Sequence, residues 1–175
     1  MTSLRSIRKQ CEIALEGVPV PNPFDINDFC RVISSRRRRA LHLVPKQTRL
    51  GPCGVWLSLP DADYVFFESE TSQLHREHII LHELGHLLCE HQPTEVIDEE
   101  VIAQLFPDLN PTVVHRVLGR TTYTAVEEQE AEVLASLVRE RVEHELRATR
   151  KRGGDPKSGV VGPDRDVVDR LRDAL

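Results

Sequence analysis

A chain of 175 residues, 29% charged and 39% hydrophobic, has the balance of one water-soluble globular domain with a short appendage. Its net charge of -5 gives no drive towards nucleic acid or an anionic membrane. No apolar run nears the roughly 20 residues of a membrane span, and Met1-Thr2-Ser3-Leu4-Arg5 lacks a signal-peptide core. Cys11, Cys30, Cys53 and Cys89 form no C-x-x-C pair, so the expectation is a cytoplasmic protein with small buried thiols, neither disulfide-bonded nor holding zinc by thiolates.

Leu4, Ile7, Cys11, Ala14 and Leu15 recur at helical spacing and predict a packing helix over 4–15. Pro19, Pro21 and Pro23 interrupt the chain. Asp25 then caps a helix from Ile26 to about Ser35, with Phe24 as a hydrophobic staple. Arg36 to Arg39 end it, and cations at a helix C-terminus, solvated, explain them better than a phosphate site in an acidic chain.

Ala40–Val44, Gly54–Leu59 and Tyr64–Phe67 are β-branched or aromatic runs divided by Pro45, Gly51-Pro52 and Pro60-Asp61-Ala62-Asp63. They predict a small, mostly antiparallel sheet of about three strands packed on helices, the last two strands forming a hairpin. Such a strand beside a metal can take substrate by strand addition.

Thr71 or Ser72 caps the next helix, predicted to reach about Glu90. It carries His82-Glu83-Leu84-Gly85-His86. One helical turn apart, His82 and His86 share a face and can reach one cation, and Glu83 beside them can take a proton from an attacking water. This is the H-E-x-x-H arrangement of a metallopeptidase. The pattern alone can be an ordinary helix, but Ile79, Ile80, Leu81, Leu84, Leu87 and Leu88 make this one apolar nearly all round. Polar groups buried there need a partner, and Gly85 gives up about 1 kcal/mol of helix propensity where something packs closely. A metzincin is excluded, because Cys89 and Gln92 stand where it needs glycine and histidine. His78 and His91 are assigned structural or supporting places rather than metal ligation.

Short helices are predicted over Val96–Phe106 and Pro111–Leu118. Thr124-Ala125-Val126-Glu127 is a capping box opening the longest helix, Ala125 to about Leu146, with Ala131, Leu134, Ala135, Val138 and Val142 as its buried stripe. Glu128 lies at the edge of that stripe and Glu130 further sideways, so Glu128 is the third ligand on helix-face geometry. Glu132, one turn on, can hydrogen-bond a ligand histidine. Alone, these carboxylates would read as a solvated first turn. Two histidines and a glutamate leave zinc an open catalytic position. Tyr123 or His115 is a candidate oxyanion stabiliser, either being equally a packing residue. The divisions expected are a domain over 1–148, a glycine-rich linker over 149–163 and an amphipathic helix over 164–175.

Taken together, His82-Glu83-Leu84-Gly85-His86-Leu87-Leu88, preceded by Arg76 and a strand pair and followed by Glu128-Gln129-Glu130-Ala131 with Ala135, resembles the ImmA/IrrE family of metallo-endopeptidases. The resemblance spans roughly 25–137. It implies an α+β, zincin-like fold, Zn2+ held by His82, His86 and the first glutamate of the second motif, Glu128, and catalysis by Glu83. It further implies an intracellular enzyme that cleaves or inactivates a helix-turn-helix transcriptional repressor. The chain departs from the family at Leu134-Ala135-Ser136-Leu137-Val138-Arg139, in place of phenylalanine-alanine and a proline-terminated leucine segment, and in a longer span between His86 and Glu128. Two other readings are a regulatory binding module with a structural zinc site, and a toxin component neutralised by an antitoxin.

Overall fold

The computed structural model describes residues 3–47, 53–58, 62–91 and 123–152, with the side chains of 150–152 excepted. The helices predicted over 96–106 and 111–118, His115 and the 164–175 segment lie outside these residues. Within them are four helices and three strands: α1 (Leu4–Ala14), α2 (Ile26–Arg37), β1 (Ala40–Lys46), β2 (Gly54–Ser58), β3 (Ala62–Glu68), α3 (Gln73–Leu88) and α4 (Ala125–Arg152). This is an α+β architecture. No described helix is long and apolar enough to cross a membrane.

Local chemistry sets most boundaries where expected. The Asp25 carboxylate accepts from the Asn27 and Asp28 N–H groups, opening α2. Phe24 meets Phe29 with ring centroids 6.1 Å apart, the staple inferred from their spacing. For α3 the cap is Ser72, whose hydroxyl accepts from His75 N. The helix stops at Leu88, two residues short of expectation. At α4, Thr124 Oγ1 accepts from Glu127 N and Glu127 Oε2 from Thr124 N, completing the capping box. This helix continues to Arg152, so the expected 149–163 linker begins inside it.

The sheet bears out the antiparallel pairing of the last two strands and corrects the mostly antiparallel expectation for the whole. Its order is β1-β3-β2, with β2 antiparallel and β1 parallel to β3, so it is mixed. A period-two pattern assigns faces but not neighbours. The chain passes from β1 to the far edge before β3 enters the centre, where a nearly continuous apolar run belongs. Edge position also explains how Pro45 sits within β1, since a strand edge tolerates its missing N–H.

Helix α3 packs against α4 and against β2 and β3; α4 also packs on α1. Ile7 and Cys11 from α1 with Leu15 at its C-cap, Phe29 and Ile33 from α2, Leu84 and Leu87 from α3, and Leu134 and Val138 from α4 are fully buried in one core. Leu4, assigned to that stripe, is instead exposed, as is Cys53 among the thiols.

Arg36 and Arg38 are exposed at the end of α2, as expected of solvated cations, but Arg37 and Arg39 are not simply solvated. Asp63, 1% exposed, lies 3.5 Å from Arg37 Nε and 3.2 Å from Arg39 Nε, joining the α2 terminus to β3. Arg38 between them adopts a left-handed conformation, φ 52°, and Arg36 donates to the Glu16 carbonyl. Breaking a buried pair from one side leaves its partner uncompensated. Asp63→Ala is therefore expected to cost about 2–3 kcal/mol, less than for a fully buried pair because the arginines keep solvent contact. A denaturant midpoint unchanged from wild type would refute this.

Candidate metal centre

Gly85 and Ala131 set the distance between the two helices that build the site. A Cβ at Gly85 would lie 2.7 Å from Ala131 Cα and 2.9 Å from its carbonyl oxygen, so the glycine is where α4 touches α3. That close approach brings Glu128, one turn before Ala131 and Glu132 on α4, up to the histidine face of α3.

The three ligand atoms converge. His82 Nε2 is 3.1 Å from both Glu128 Oε2 and His86 Nε2, and Glu128 Oε2 is 3.9 Å from His86 Nε2. Donors bound tetrahedrally at about 2.05 Å would stand about 3.3 Å apart, so two imidazoles and a carboxylate at this spacing fit one zinc-sized ion. Among the described residues this is the one group of three such side chains close enough to hold a metal. His86 is 1% exposed, and burial, His82 and His91 hold its pKa down to about 3, so the ring is uncharged. The His82 ring and Glu128 face the cleft, 23% and 50% exposed.

Glu83 lines the same cleft as the three ligand residues and is 6% exposed. Burial pushes its carboxyl up to about 8, against the pull of a hydrogen bond from the Trp56 backbone and with Glu128 raising it further. Gly54 makes room for it, since a Cβ there would lie 2.6 Å from Glu83 Oε1. Thus β2 forms one wall of the cleft, with Gly54, Val55 and Trp56 among its lining residues.

Tyr123 precedes α4 and stacks on His86, centroids 3.6 Å apart and planes 14° from parallel. Tyr123 lines the cleft, and its buried hydroxyl has no hydrogen-bond partner among the described residues. Burial, with the charges of Glu83, Glu128 and Glu127, raises its pKa well above the usual phenol value. The phenol therefore stays a donor.

Glu132 Oε2 lies 3.5 Å from His82 Nδ1 and 3.3 Å from His78 Nε2. Glu132 is thus beside the ligand ring it was assigned to, shared with His78, at ion-pair distance rather than in a tight hydrogen bond. Glu130 departs from expectation. Its side chain is 15% exposed, far less than that of Glu128, and it bonds His91 Nε2 at 2.8 Å. It sits one turn before Leu134 and shares that buried stripe, a relation visible in the sequence once both stripe edges are followed. His91 in turn meets His86 Nδ1 at 2.9 Å.

Comparison with protein-family models, with characterised proteins and with solved structures gives no match to this chain.

Proposed function

We propose that this chain is a zinc-dependent endopeptidase of zincin architecture. The observation that carries the reading is the Nε2, Nε2 and Oε2 triad with a buried carboxylate, Glu83, next to it in one cleft. Zinc, when bound, supplies Lewis acidity that polarises a scissile carbonyl and an attacking water. His82, His86 and Glu128 hold the ion by two neutral nitrogens and one carboxylate oxygen.

A cation held by the triad would favour the ionised Glu83 carboxylate against the burial that raises it, and as a carboxylate Glu83 is the general base and then the acid: it takes the proton from water and delivers it to the departing amine nitrogen. Its buried setting keeps the proton from being lost to solvent between these steps. Tyr123 Oη, with no competing acceptor among the described residues, donates to the oxyanion that develops at the carbonyl. β2 is an edge of the described sheet and a wall of the cleft, suited to take an extended peptide by strand addition. The resemblance to ImmA/IrrE enzymes makes an intracellular helix-turn-helix repressor the proposed substrate.

Metal analysis tests the centre directly. Glu128→Ala is expected to weaken zinc affinity by more than about 100-fold, since it removes a ligand and not only a supporting contact. Full metal retention in that variant would remove Glu128 from the site. Cleavage of a repressor by the wild type, with fragments identified by mass spectrometry and blocked by a chelator, would establish the activity; an intact repressor after incubation with zinc-loaded protein would count against that substrate.

A further inference from the structure

Behind His86, away from the triad, lies a buried chain of three polar groups. His86 Nδ1 is 2.9 Å from His91 Nδ1, and His91 Nε2 is 2.8 Å from Glu130 Oε2. His91 and His86 are 5% and 1% exposed, and the Glu130 side chain 15%. The backbone is shaped to make this contact. After α3 ends, Glu90 takes φ 55°, a left-handed conformation uncommon for glutamate, and His91 N donates to the His86 carbonyl at 3.0 Å. The turn folds His91 back under the ligand it follows by five residues. On the other side α4 supplies Glu130, held near α1 where Cys11 Sγ donates to its carbonyl.

The hydrogens in this chain can run in only one direction if His86 is a metal ligand. Its Nε2, the atom in the triad, must offer a lone pair, so the uncharged ring carries its hydrogen on Nδ1. Nδ1–H then donates to His91 Nδ1, which must accept. His91 accordingly carries its hydrogen on Nε2 and donates to Glu130, which as a carboxylate only accepts. All three contacts are satisfied at once. Two buried histidines packed for stability would also need satisfied nitrogens, but would not need this polarity or a charged terminus.

We propose that His91 and Glu130 are positioning residues for the metal centre: the Glu130 carboxylate, acting through His91, fixes the tautomer of His86 and strengthens its Nε2 as a donor. The inference rests on the metal-centre part of the proposed function and not on peptide hydrolysis. Outer partners of ligand histidines change metal affinity by roughly 10–100-fold when removed.

The test is zinc affinity by chelator competition in the full chain, with His91→Phe, His91→Gln and Glu130→Gln. His91→Phe cuts the chain and is expected to weaken zinc by roughly 10–100-fold. Glu130→Gln keeps the size and an acceptor oxygen but removes the charge, and is expected to weaken it by about 10-fold. His91→Gln retains one acceptor and one donor and should recover most of the loss. Nitrogen NMR of the zinc-loaded wild type should show His91 with its hydrogen on Nε2. Wild-type affinity in both His91→Phe and Glu130→Gln, a glutamine variant no better than phenylalanine, or a hydrogen on His91 Nδ1 would each overturn the proposal. The NMR result decides it even if a variant fails to fold. A protein that binds zinc with this tautomer yet cleaves nothing would overturn the peptidase reading and leave the relay standing.

Discussion

Glu83→Gln is expected to lower peptide hydrolysis by about 10²- to 10⁴-fold while leaving zinc content at the wild-type level. The carboxylate is adjacent to a ligand but is not one of the three converging atoms, so its loss removes proton transfer and not the ion. Glutamine keeps an acceptor for the Trp56 backbone contact and relieves the burial of an ionisable group 6% exposed. The variant should therefore melt no lower than wild type without metal, and higher if, as is common at active sites, the catalytic group is held at a cost in stability. Unimpaired hydrolysis would remove Glu83 as the base. A variant that still inactivates the proposed repressor without cleaving it would favour the regulatory-module reading. For the toxin reading, toxicity on expression alone that vanishes with the neighbouring gene product is the corresponding result.

The second large effect is expected at Gly85. On an isolated helix, glycine to alanine stabilises by about 1 kcal/mol. Here the added methyl meets the Ala131 backbone at 2.7 Å and 2.9 Å, and a backbone cannot swing aside as a side-chain tip can. Helices α3 and α4 must separate, at a cost typical of overpacking, about 1–3 kcal/mol, and Glu128 moves with α4. Gly85→Ala is thus expected to lower the melting temperature and weaken zinc binding together. The sign decides the matter: a variant more stable than wild type, with full metal content, would mean that the glycine serves no close approach.

Much of the local structure was legible in the residues themselves. Asp25 with Phe24, Ser72 and the Thr124-to-Glu127 box each mark a helix start by chemistry confined to four or five positions. The two turns of α3 carrying His82 and His86 were equally plain, because a helical period puts i and i+4 on one face wherever the helix lies. Cys30, buried in the core with its thiol pushed up to about 12, fits the expectation of buried thiols, while Cys53, exposed at the border of the cleft, does not.

What one element cannot encode is its neighbour. Glu128 and Glu130 are two residues apart on one helix; packing on α3 places Glu128 at the cleft, while the turn after α3 brings His91 beneath it to meet Glu130. The arginine run looked like solvent-exposed charge because Asp63, its counterion, lies 24 residues beyond Arg39 and on another element. The parallel pairing of β1 with β3 was hidden for the same reason, since strand order is set by how the chain crosses between edges. Sequence alone determined which residues could bind a metal and which helices carry them, through short-range periodicity and capping. Helix-face geometry already favours Glu128 over Glu130; only the tertiary structure decided how closely it meets the histidines, because that depends on a contact between Gly85 and Ala131, 46 positions apart on two helices.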